Sequence, residues 1–384
     1  MRRRLEGRRV VICAGSGGVG KTTTSAALAM GLAAAGQRVA VVTIDPAKRL
    51  ANSLGLAELD NEPRLVAPDR FAGHGIEMHG ELWAMQLDAK QTFDELVAGL
   101  SPDDAARDDV LANRIYQQLS SAVAGSQEFT AVAKLYELDR SGRFDVLVLD
   151  TPPSRNALDF LDAPDRLTGF LEGRALKVLL APTGLAAKVA AAGTSVVFGV
   201  LRRLTGVDLL DDLSVFFRSL SGLIDGFKER AEGVKALLGD PATTFLIVSS
   251  PEREAVEEAI FFHGKLAEHG MPFGGLVVNR VHALDGAAGE ADAAALQAAL
   301  GASLAGKVGR AYAEEQALAE RDAAAIERLR AETGDAAPVL VPQLAGDVHD
   351  IDGLVAIHAH LFGPARAVAV PAAAPSPRPA HIRR

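Results

Sequence analysis

Short runs of apolar and β-branched residues recur along the chain, and the stretches between them place apolar residues at helical spacing. A nearly continuous apolar run of strand length indicates a strand buried on both faces, as in a parallel sheet between helices. The pattern therefore predicts an α/β fold with a doubly wound, mostly parallel sheet flanked by helices. The predicted strands are residues 10–13, 38–44, 81–87, 144–149, 244–248, 275–278 and 339–341.

Helical spacing fills most of the remaining chain. From about residue 162 to residue 240, apolar residues crowd on more than one helical face. We interpret this segment as a helical insertion that forms either ordinary core or an apolar binding groove. The other predicted helices are 23–35, 47–54, 90–99, 103–120, 127–141, 251–269 and 351–362, with two more helical stretches before residue 339.

The domain organisation follows from these elements. We expect residues 8–364 to form a single domain that contains the insertion at 162–240. Residues 365–384 are rich in Pro and Ala and cannot bury much apolar surface, so they predict a disordered tail.

The segment between the first predicted strand and the first helix carries the clearest chemistry. It fits the pattern G-x-x-x-x-G-K-[ST], in which backbone N–H groups surround phosphates, the lysine reaches the β- and γ-phosphates and the hydroxyl binds Mg²⁺. A strand before the loop and a helix after it provide the context that this pattern requires. We therefore expect a nucleoside triphosphate at Gly15, Ser16, Gly17, Gly18, Val19, Gly20, Lys21, Thr22 and Thr23.

A second carboxylate fits this loop. Asp150 follows the apolar run 144–149, which is the Walker B arrangement, in which an aspartate holds the hydration shell of Mg²⁺ opposite the loop hydroxyl. The alternative is an aspartate that caps a turn. We predict that Asp150 and Thr22 share a metal ion.

Two other predicted strands also end on polar residues. Asp45 precedes Pro46, where it can cap the next helix with the proline at the first helical position. Asn279 and Arg280 follow the strand at 275–278. Because α/β ligands bind outside the carboxyl ends of strands, this pair is placed to contact a nucleotide base.

Composition disfavours several classes of protein. The net charge of −9 argues against general nucleic-acid binding. The single cysteine, Cys13, excludes a disulfide framework or a CxxC zinc site within one chain. The longest uncharged apolar stretch, 189–201, is shorter than the ~20 residues of a membrane-spanning helix, and no signal-peptide pattern follows the basic start. We expect a cytoplasmic protein without stable membrane insertion.

Five segments together resemble one family. In their order and spacing they resemble the ArsA/Get-type ATPases of the deviant Walker A group, which also contains MinD, ParA and the nitrogenase iron protein. Two of them look like the branch common in actinobacteria. The resemblance implies a P-loop NTPase fold and an ATPase that uses ATP and Mg²⁺. The segments are GSGGVGKTTT (15–24), TIDPAKRLANSLGL (43–56), VLVLDTPPSRNALDFLDAP (146–164), VVNR (277–280) and VPQLAGDVHDIDGL (341–354).

The resemblance also implies roles for single residues. Asp45 matches the first-switch aspartate, which positions the attacking water, so Asp45 and Lys21 are the candidate catalytic residues. The candidate metal-site residues are Thr22, Asp45 and Asp150. The family's adenine-binding elements match Asn279, Arg280 and the loop from Pro342 to Leu344.

The partners implied by the resemblance are a second subunit and a client. The insertion matches the region that forms a hydrophobic client groove in an ATP-closed dimer. We therefore expect a homodimer, or a heterodimer with a related ATPase subunit, that handles a hydrophobic client or partner protein.

The chain departs from the family pattern at Ser16, where many members have a lysine that reaches the phosphates of the partner subunit. The alternative to an efficient ATPase is therefore a slow or non-hydrolysing ATP-binding regulatory subunit of a hetero-oligomer. The cations that can substitute within the chain are Lys48, Arg49 and Arg155. An anion- or arsenite-efflux subunit is less favoured, because the family's arsenite pumps use a cysteine cluster that Cys13 alone cannot supply. A third alternative is an ATP-dependent biosynthetic enzyme of the same fold, for which the sequence contains no substrate-specific motif.

Overall fold

Eight strands form one sheet in this protein. The computed structural model describes residues 1–45, 47–113, 116–117, 127–151, 223–282, 293–344, 346 and 348–363. The strands are β1 (Val10–Ala14), β2 (Arg38–Thr43), β3 (Arg64–Leu65), β4 (Glu81–Gln86), β5 (Val146–Asp150), β6 (Thr243–Ser249), β7 (Phe273–Val281) and β8 (Val339–Pro342).

The sheet is parallel except at one edge. Its order is β3-β4-β2-β5-β1-β6-β7-β8, with β3 antiparallel to β4 and the other neighbours parallel. The register places Cys13 of β1 and Thr43 of β2 on either side of Asp150 in β5. The carboxyl ends of these central strands therefore lie side by side, which is where ligands bind in open α/β sheets.

Helices connect most of the strands. They are α1 (Arg2–Leu5), α2 (Lys21–Ala34), α3 (Arg49–Ser53), α4 (Asp69–Ala72), α5 (Ala89–Leu100), α6 (Asp104–Ala112), α7 (Gln127–Ser141), α8 (Ile224–Gly239), α9 (Arg253–Glu268), α10 (Ala293–Leu300), α11 (Ala302–Thr333) and α12 (Ile351–Phe362).

The sheet buries an apolar layer on each face. Side chains alternate along a strand, so Val10 and Ile12 of β1 pack in one layer, with residues of α5, α7, α8 and α9. Val11 and Cys13 pack in the other, with residues of α2 and α12. Full burial of one such side chain contributes about 1.5–3 kcal/mol. Both layers hold β1 in place, so the start of the loop that follows it is well anchored.

The predicted fold class is confirmed, because the sheet is mostly parallel and flanked by helices, as in P-loop NTPases. All seven predicted strands are present, with small shifts at their ends. The pattern missed β3, whose two residues are both exposed and show no apolar alternation.

Two predicted elements differ in extent. The helix predicted for 103–120 is too long, because α6 ends at Ala112. Asn113 is extended, and its side-chain oxygen accepts a hydrogen bond from the N–H of Tyr116 at 3.2 Å. The strand predicted for 275–278 is too short, because β7 continues to Val281 and contains Asn279 and Arg280.

Part of the predicted organisation lies outside the described residues. Residues 152–222 and 364–384 are not described, so they include most of the proposed insertion at 162–240 and the whole proposed tail at 365–384. Helix α8 falls within the range of the insertion. The insertion, the tail and the single domain at 8–364 stay predictions.

Candidate functional site

The loop between β1 and α2 depends on glycine at two close approaches. Gly15 has a φ of +155°, and a Cβ atom there would overlap the backbone carbonyl of Val248 in β6. Gly20 has a φ of +93° and precedes the first helical residue, and a Cβ there would overlap the side-chain amide of Asn279. Because glycine has no Cβ atom and adopts positive φ without steric cost, the loop can pack tightly against both strands.

Lys21 is the first residue of α2, and its side chain reaches back into this loop. Its side chain is buried, and its Nζ atom donates hydrogen bonds to the carbonyls of Gly15 and Ser16, both at 2.8 Å. Burial lowers the pKa of Lys21, while the nearby carboxylates of Asp150 and Asp45 act in the opposite direction. Carbonyl oxygens at the start of the loop therefore hold the ammonium group inside the loop.

Asp150 is the central acidic group of the site. Its Oδ2 atom accepts hydrogen bonds from the hydroxyls of Thr22 at 2.7 Å and Thr43 at 2.9 Å. Its Oδ1 atom is buried and has no hydrogen-bond partner within the described part of the chain. The predicted pair Asp150 and Thr22 is thus in direct contact.

The electrostatics of Asp150 follow from its surroundings. Burial raises the pKa of Asp150 to about 6, although the hydroxyls of Thr22 and Thr43 and the charge of Lys21 favour the carboxylate. A buried carboxylate with an unpartnered oxygen is a costly arrangement without a cation. Carboxylate and hydroxyl oxygens are the ligands that Mg²⁺ prefers, so these residues fit a magnesium ion.

Asp45 lies at the same edge and is buried. Its Oδ1 atom accepts a hydrogen bond from the N–H of Ala47 at 2.9 Å, and its Oδ2 atom is 3.5 Å from Arg49. It does not cap α3, because the residue before that helix is Lys48, which makes no side-chain cap. The predicted capping role is therefore wrong, and Asp45 instead holds the turn that precedes the helix.

The remaining loop residues differ in exposure. Gly17 and Gly18 are exposed, whereas Val19 is buried and its carbonyl accepts a hydrogen bond from Asn279 Nδ2 at 2.9 Å. The Oγ atom of Ser16 is buried and lacks a hydrogen-bond partner among the described residues. The hydroxyl of Ser16 therefore makes no hydrogen bond that would stabilise the loop within the described residues.

A pocket of about 180 Å³ lies next to the loop. It brings together the start of α2, the end of β7 and the segment after β8. The pocket is lined by the residues predicted to contact a base and by two residues of the predicted phosphate-binding segment. These lining residues are Gly20, Thr23, Asn279, Arg280, Pro342 and Leu344. Gln343, in the predicted loop from Pro342 to Leu344, also lines the pocket. Sequence reasoning missed the other lining residues, which are Gly346, Val348 and Ile357.

Arg280 bends the end of β7. Its φ of +59° is the one positive φ of a residue other than glycine in the described ranges. The pairing of β7 with β8 also shifts register between Val278 and Val281. Bulky residues rarely adopt this conformation, and irregular backbone of this kind is common at binding sites. The bend places Asn279 and Arg280 on the pocket although they belong to the strand.

Thr43 is the one residue of the central network that sequence reasoning did not single out. The apolar pattern predicts it only as part of the buried strand 38–44. The signal that points to it is a hydroxyl residue at the end of an apolar run, two positions before Asp45.

Several predicted features lie elsewhere or cannot be placed. Arg155 is outside the described residues, whereas Lys48 and Arg49 are exposed beside Asp45. Cys13 is fully buried in β1, and burial raises the pKa of its thiol to about 12. The part of the chain that the structure describes contains no group of three or more His, Cys, Asp or Glu side chains that could hold a metal. Nor does any described helix have the length and apolar character to cross a membrane.

Comparison with known proteins identifies relatives of this chain. A putative arsenical pump-driving ATPase 1 of Aquifex aeolicus is 28% identical over 258 residues, 65% of this chain and 58% of that protein. ATPase get3 of Aspergillus terreus is 34% identical over 160 residues, 41% of this chain and 43% of that protein. ATPase GET3C of Arabidopsis thaliana is 27% identical over 288 residues, 71% of this chain and 67% of that protein.

The similarity to the first two relatives spans about half of their length. A family model described as anion-transporting ATPase matches residues 8–299 of this chain, which include the loop, Asp45, Asp150 and Asn279. This match covers more than half of the sequence. The chain therefore belongs to the ArsA-type anion-transporting ATPase family.

Proposed function

We propose that this chain is a Mg²⁺-dependent ATPase that couples ATP binding and hydrolysis to dimer closure and to the handling of a hydrophobic client or partner protein. The observation that carries the proposal is the contact of Thr22 with Asp150 at 2.7 Å, beside a buried carboxylate oxygen without a partner. Membership of an ATPase family supports the same reaction class.

The loop would bind the phosphates. Its backbone N–H groups and the start of α2 favour anions, and Lys21 supplies a buried positive charge. Thr22 and Asp150 would hold Mg²⁺, which when bound neutralises charge on the β- and γ-phosphate oxygens. The ammonium group of Lys21, which now donates to the carbonyls of Gly15 and Ser16, would instead donate to phosphate oxygens.

The pocket beside the loop would hold the base. Asn279 donates its amide N–H to the carbonyl of Val19, which fixes the orientation of the side chain. Its carbonyl oxygen is then available to accept a hydrogen bond, as the exocyclic amino group of adenine requires. The apolar side chains of Leu344, Val348 and Ile357 would contact the base.

Asp45 would orient the attacking water. It is buried at the same edge of the sheet as Asp150, and its turn is held by the N–H of Ala47. In phosphoryl transfer, a residue that positions the nucleophile contributes to the rate without forming a covalent bond. Arg49 is the nearest described cation to Asp45, at 3.5 Å.

The proposed assembly and client rest on the sequence. They are supported by the resemblance of the 162–240 segment to a client-binding region and by its crowded apolar residues. A groove that opens or closes with nucleotide would change hydrogen exchange in this segment when ATP is added. Exchange that is insensitive to ATP would favour ordinary core. The cytoplasmic location and the absence of nucleic-acid binding likewise stay predictions.

Two other functions are ranked below this one. Ser16 favours a slow or non-hydrolysing regulatory subunit, because a serine cannot supply a cation to a second active site. An arsenite-efflux subunit is less favoured, because Cys13 is buried and burial raises the pKa of its thiol to about 12, which disfavours the thiolate that binds soft metals.

The proposal is tested by phosphate release from ATP with the full chain, in Mg²⁺ and in EDTA. Asp45→Asn should bind ATP as the wild type does and lose about tenfold or more in turnover. Asparagine keeps the side-chain oxygen that accepts from Ala47, so the turn is preserved. Asp104→Asn, on the exposed start of α6, is the matched control. Turnover at the wild-type rate in Asp45→Asn would mean that Asp45 is structural.

A further inference from the structure

Thr43, the last residue of β2, makes two hydrogen bonds within the site. Its side chain is buried. The hydroxyl donates to Asp150 Oδ2 at 2.9 Å and accepts from the backbone N–H of Asp45 at 3.2 Å. One hydroxyl therefore connects the proposed metal-binding carboxylate with the proposed water-positioning residue.

The hydroxyl, rather than the shape of Thr43, makes this connection. The neighbouring residues Val41 and Val42 show that β2 accepts β-branched apolar side chains, so valine would fill the same space. A buried hydroxyl is unfavourable unless it is hydrogen-bonded, and both bonds of Thr43 go to residues of the site. By contrast, the hydroxyl of buried Thr243 donates to the carbonyl of Leu237. Thr243 is the first residue of β6, so this bond lies at the amino ends of the strands, away from the site.

The bond from Thr43 also determines how Asp150 presents its oxygens. Thr22 and Thr43 both donate to Oδ2, and hydrogen bonds to a carboxylate are among the stronger ones in proteins. Two donors from different elements on one oxygen restrict rotation of the carboxylate. Oδ1 is thereby left without a partner among the described residues, and it is the oxygen available to a cation.

We propose that Thr43 is a positioning residue of the Mg²⁺-ATP site, whose hydroxyl holds the Asp150 carboxylate in one orientation and ties the segment that begins at Asp45 to it. This inference rests on the proposed function. A movement of Asp45 that accompanies nucleotide binding is transmitted to Asp150 through a single hydrogen-bonded group. The effect of Thr43 therefore belongs to the response to Mg²⁺, and not to phosphate binding by the loop.

The test compares Thr43→Val, which keeps the shape, with Thr43→Ser, which keeps the hydroxyl. ATP affinity is measured by calorimetry on the full chain in Mg²⁺ and in EDTA, and Thr243→Val is the control for removing a buried strand hydroxyl. We expect equal affinities in EDTA for all variants. In Mg²⁺, Thr43→Val should bind ATP about tenfold more weakly than the wild type does. Thr43→Ser and Thr243→Val should bind ATP in Mg²⁺ as tightly as the wild type does.

Hydrogen exchange provides a second measurement that does not depend on turnover. Addition of Mg²⁺ and ATP should slow exchange of the amides at 45–55 in the wild type and in Thr43→Ser, and less so in Thr43→Val. This difference would not arise if Thr43 only packed in the strand, since Thr43→Ser would then be the impaired variant.

Three results would overturn the inference. One is a Thr43→Val chain that binds ATP in Mg²⁺ as tightly as the wild type does, and another is a Thr43→Ser chain as impaired as Thr43→Val. The third is a loss of affinity in EDTA by Thr43→Val, which would mean that the hydroxyl supports the whole loop. A wild-type chain whose ATP affinity is the same in Mg²⁺ and in EDTA would contradict the proposed function itself, whichever way the variants behave.

Discussion

At the scale of single residues, the site is a set of charges placed in a poorly solvated edge of the sheet. Lys21 and Asp150 are both buried. Backbone carbonyls of the loop accept hydrogen bonds from Lys21, and threonine hydroxyls donate hydrogen bonds to Asp150. Motif and strand pattern predicted both residues. The pattern could not show that Thr43 would share an oxygen of Asp150 with Thr22, because this depends on the register of β2 against β5.

Ser16 is the residue whose substitution tests the supply of a cation. We expect the wild-type chain to hydrolyse ATP more slowly than about 1 s⁻¹, because a serine hydroxyl cannot stabilise the charge that develops on the γ-phosphate. Ser16→Lys should raise turnover about tenfold or more, and the gain should grow with protein concentration if the lysine acts across a dimer. Phosphate release measured over a range of protein concentrations provides the comparison.

Ser16→Ala is the matched control for that substitution. The Oγ atom of Ser16 has no hydrogen-bond partner in the described part of the structure, so its loss should leave turnover and stability unchanged. If the wild type turns over rapidly and Arg49→Ala or Arg155→Ala loses this activity, a cation of the same chain stabilises the charge on the γ-phosphate instead.

At the scale of elements, sequence reasoning succeeded where an element has a local cause. The helices at 127–141 and 351–362 have the predicted bounds, because their apolar residues repeat at helical spacing without a competing turn. The helix predicted for 103–120 ends early because Asn113 caps a new turn. The end of β7 could not be predicted, since the bend at Arg280 depends on pairing with β8.

A partly buried ion pair connects the amino-terminal helix to the sheet. Arg4 in α1 contacts Asp335, which follows α11, at 2.7 Å, and Asp335 also accepts a hydrogen bond from the N–H of Leu276 in β7. Burial alone would raise the pKa of Asp335, but the hydrogen bonds from Arg4 and the backbone lower it below its ordinary value. This carboxylate therefore stabilises the fold in its charged form.

Asp335→Asn should destabilise the chain by about 1–3 kcal/mol at neutral pH, as measured by denaturant unfolding. Because folding lowers the pKa of Asp335, its contribution is present above the unfolded value and is lost as the pH falls through the folded value. The difference between wild type and variant should thus shrink below about pH 4. The surface variant Asp104→Asn should show no such difference, and an equal effect of both variants would contradict the account.

At the scale of the whole molecule, the order of the strands brings distant segments to one edge. Thr43 and Asp150 end the neighbouring strands β2 and β5, Asp45 follows β2, and Thr22 lies at the start of α2. Thr22 and Asp150 are in contact although 128 positions separate them in the sequence. The rule that ligands bind at this edge allowed the site to be predicted once the strands were assigned. The apolar lining by Val348 and Ile357 escaped prediction because it comes from α12 and the segment before it, which show no sequence signal for a ligand.

The central claim is that this edge of the sheet binds ATP through the loop. Lys21→Ala removes a buried cation and two hydrogen bonds to loop carbonyls, but Lys21 belongs to neither apolar layer of the sheet, so the variant should remain folded. Lys265→Ala, at the end of α9 and paired with Glu268, is the control for the loss of a lysine far from the loop.

Titration of ATP into the three full-length chains in Mg²⁺, followed by calorimetry, tests this claim most directly. The wild type and Lys265→Ala should bind ATP with equal affinity, and Lys21→Ala should show no binding while remaining folded. Binding of ATP by folded Lys21→Ala with the affinity of the wild type would contradict the assignment of the site.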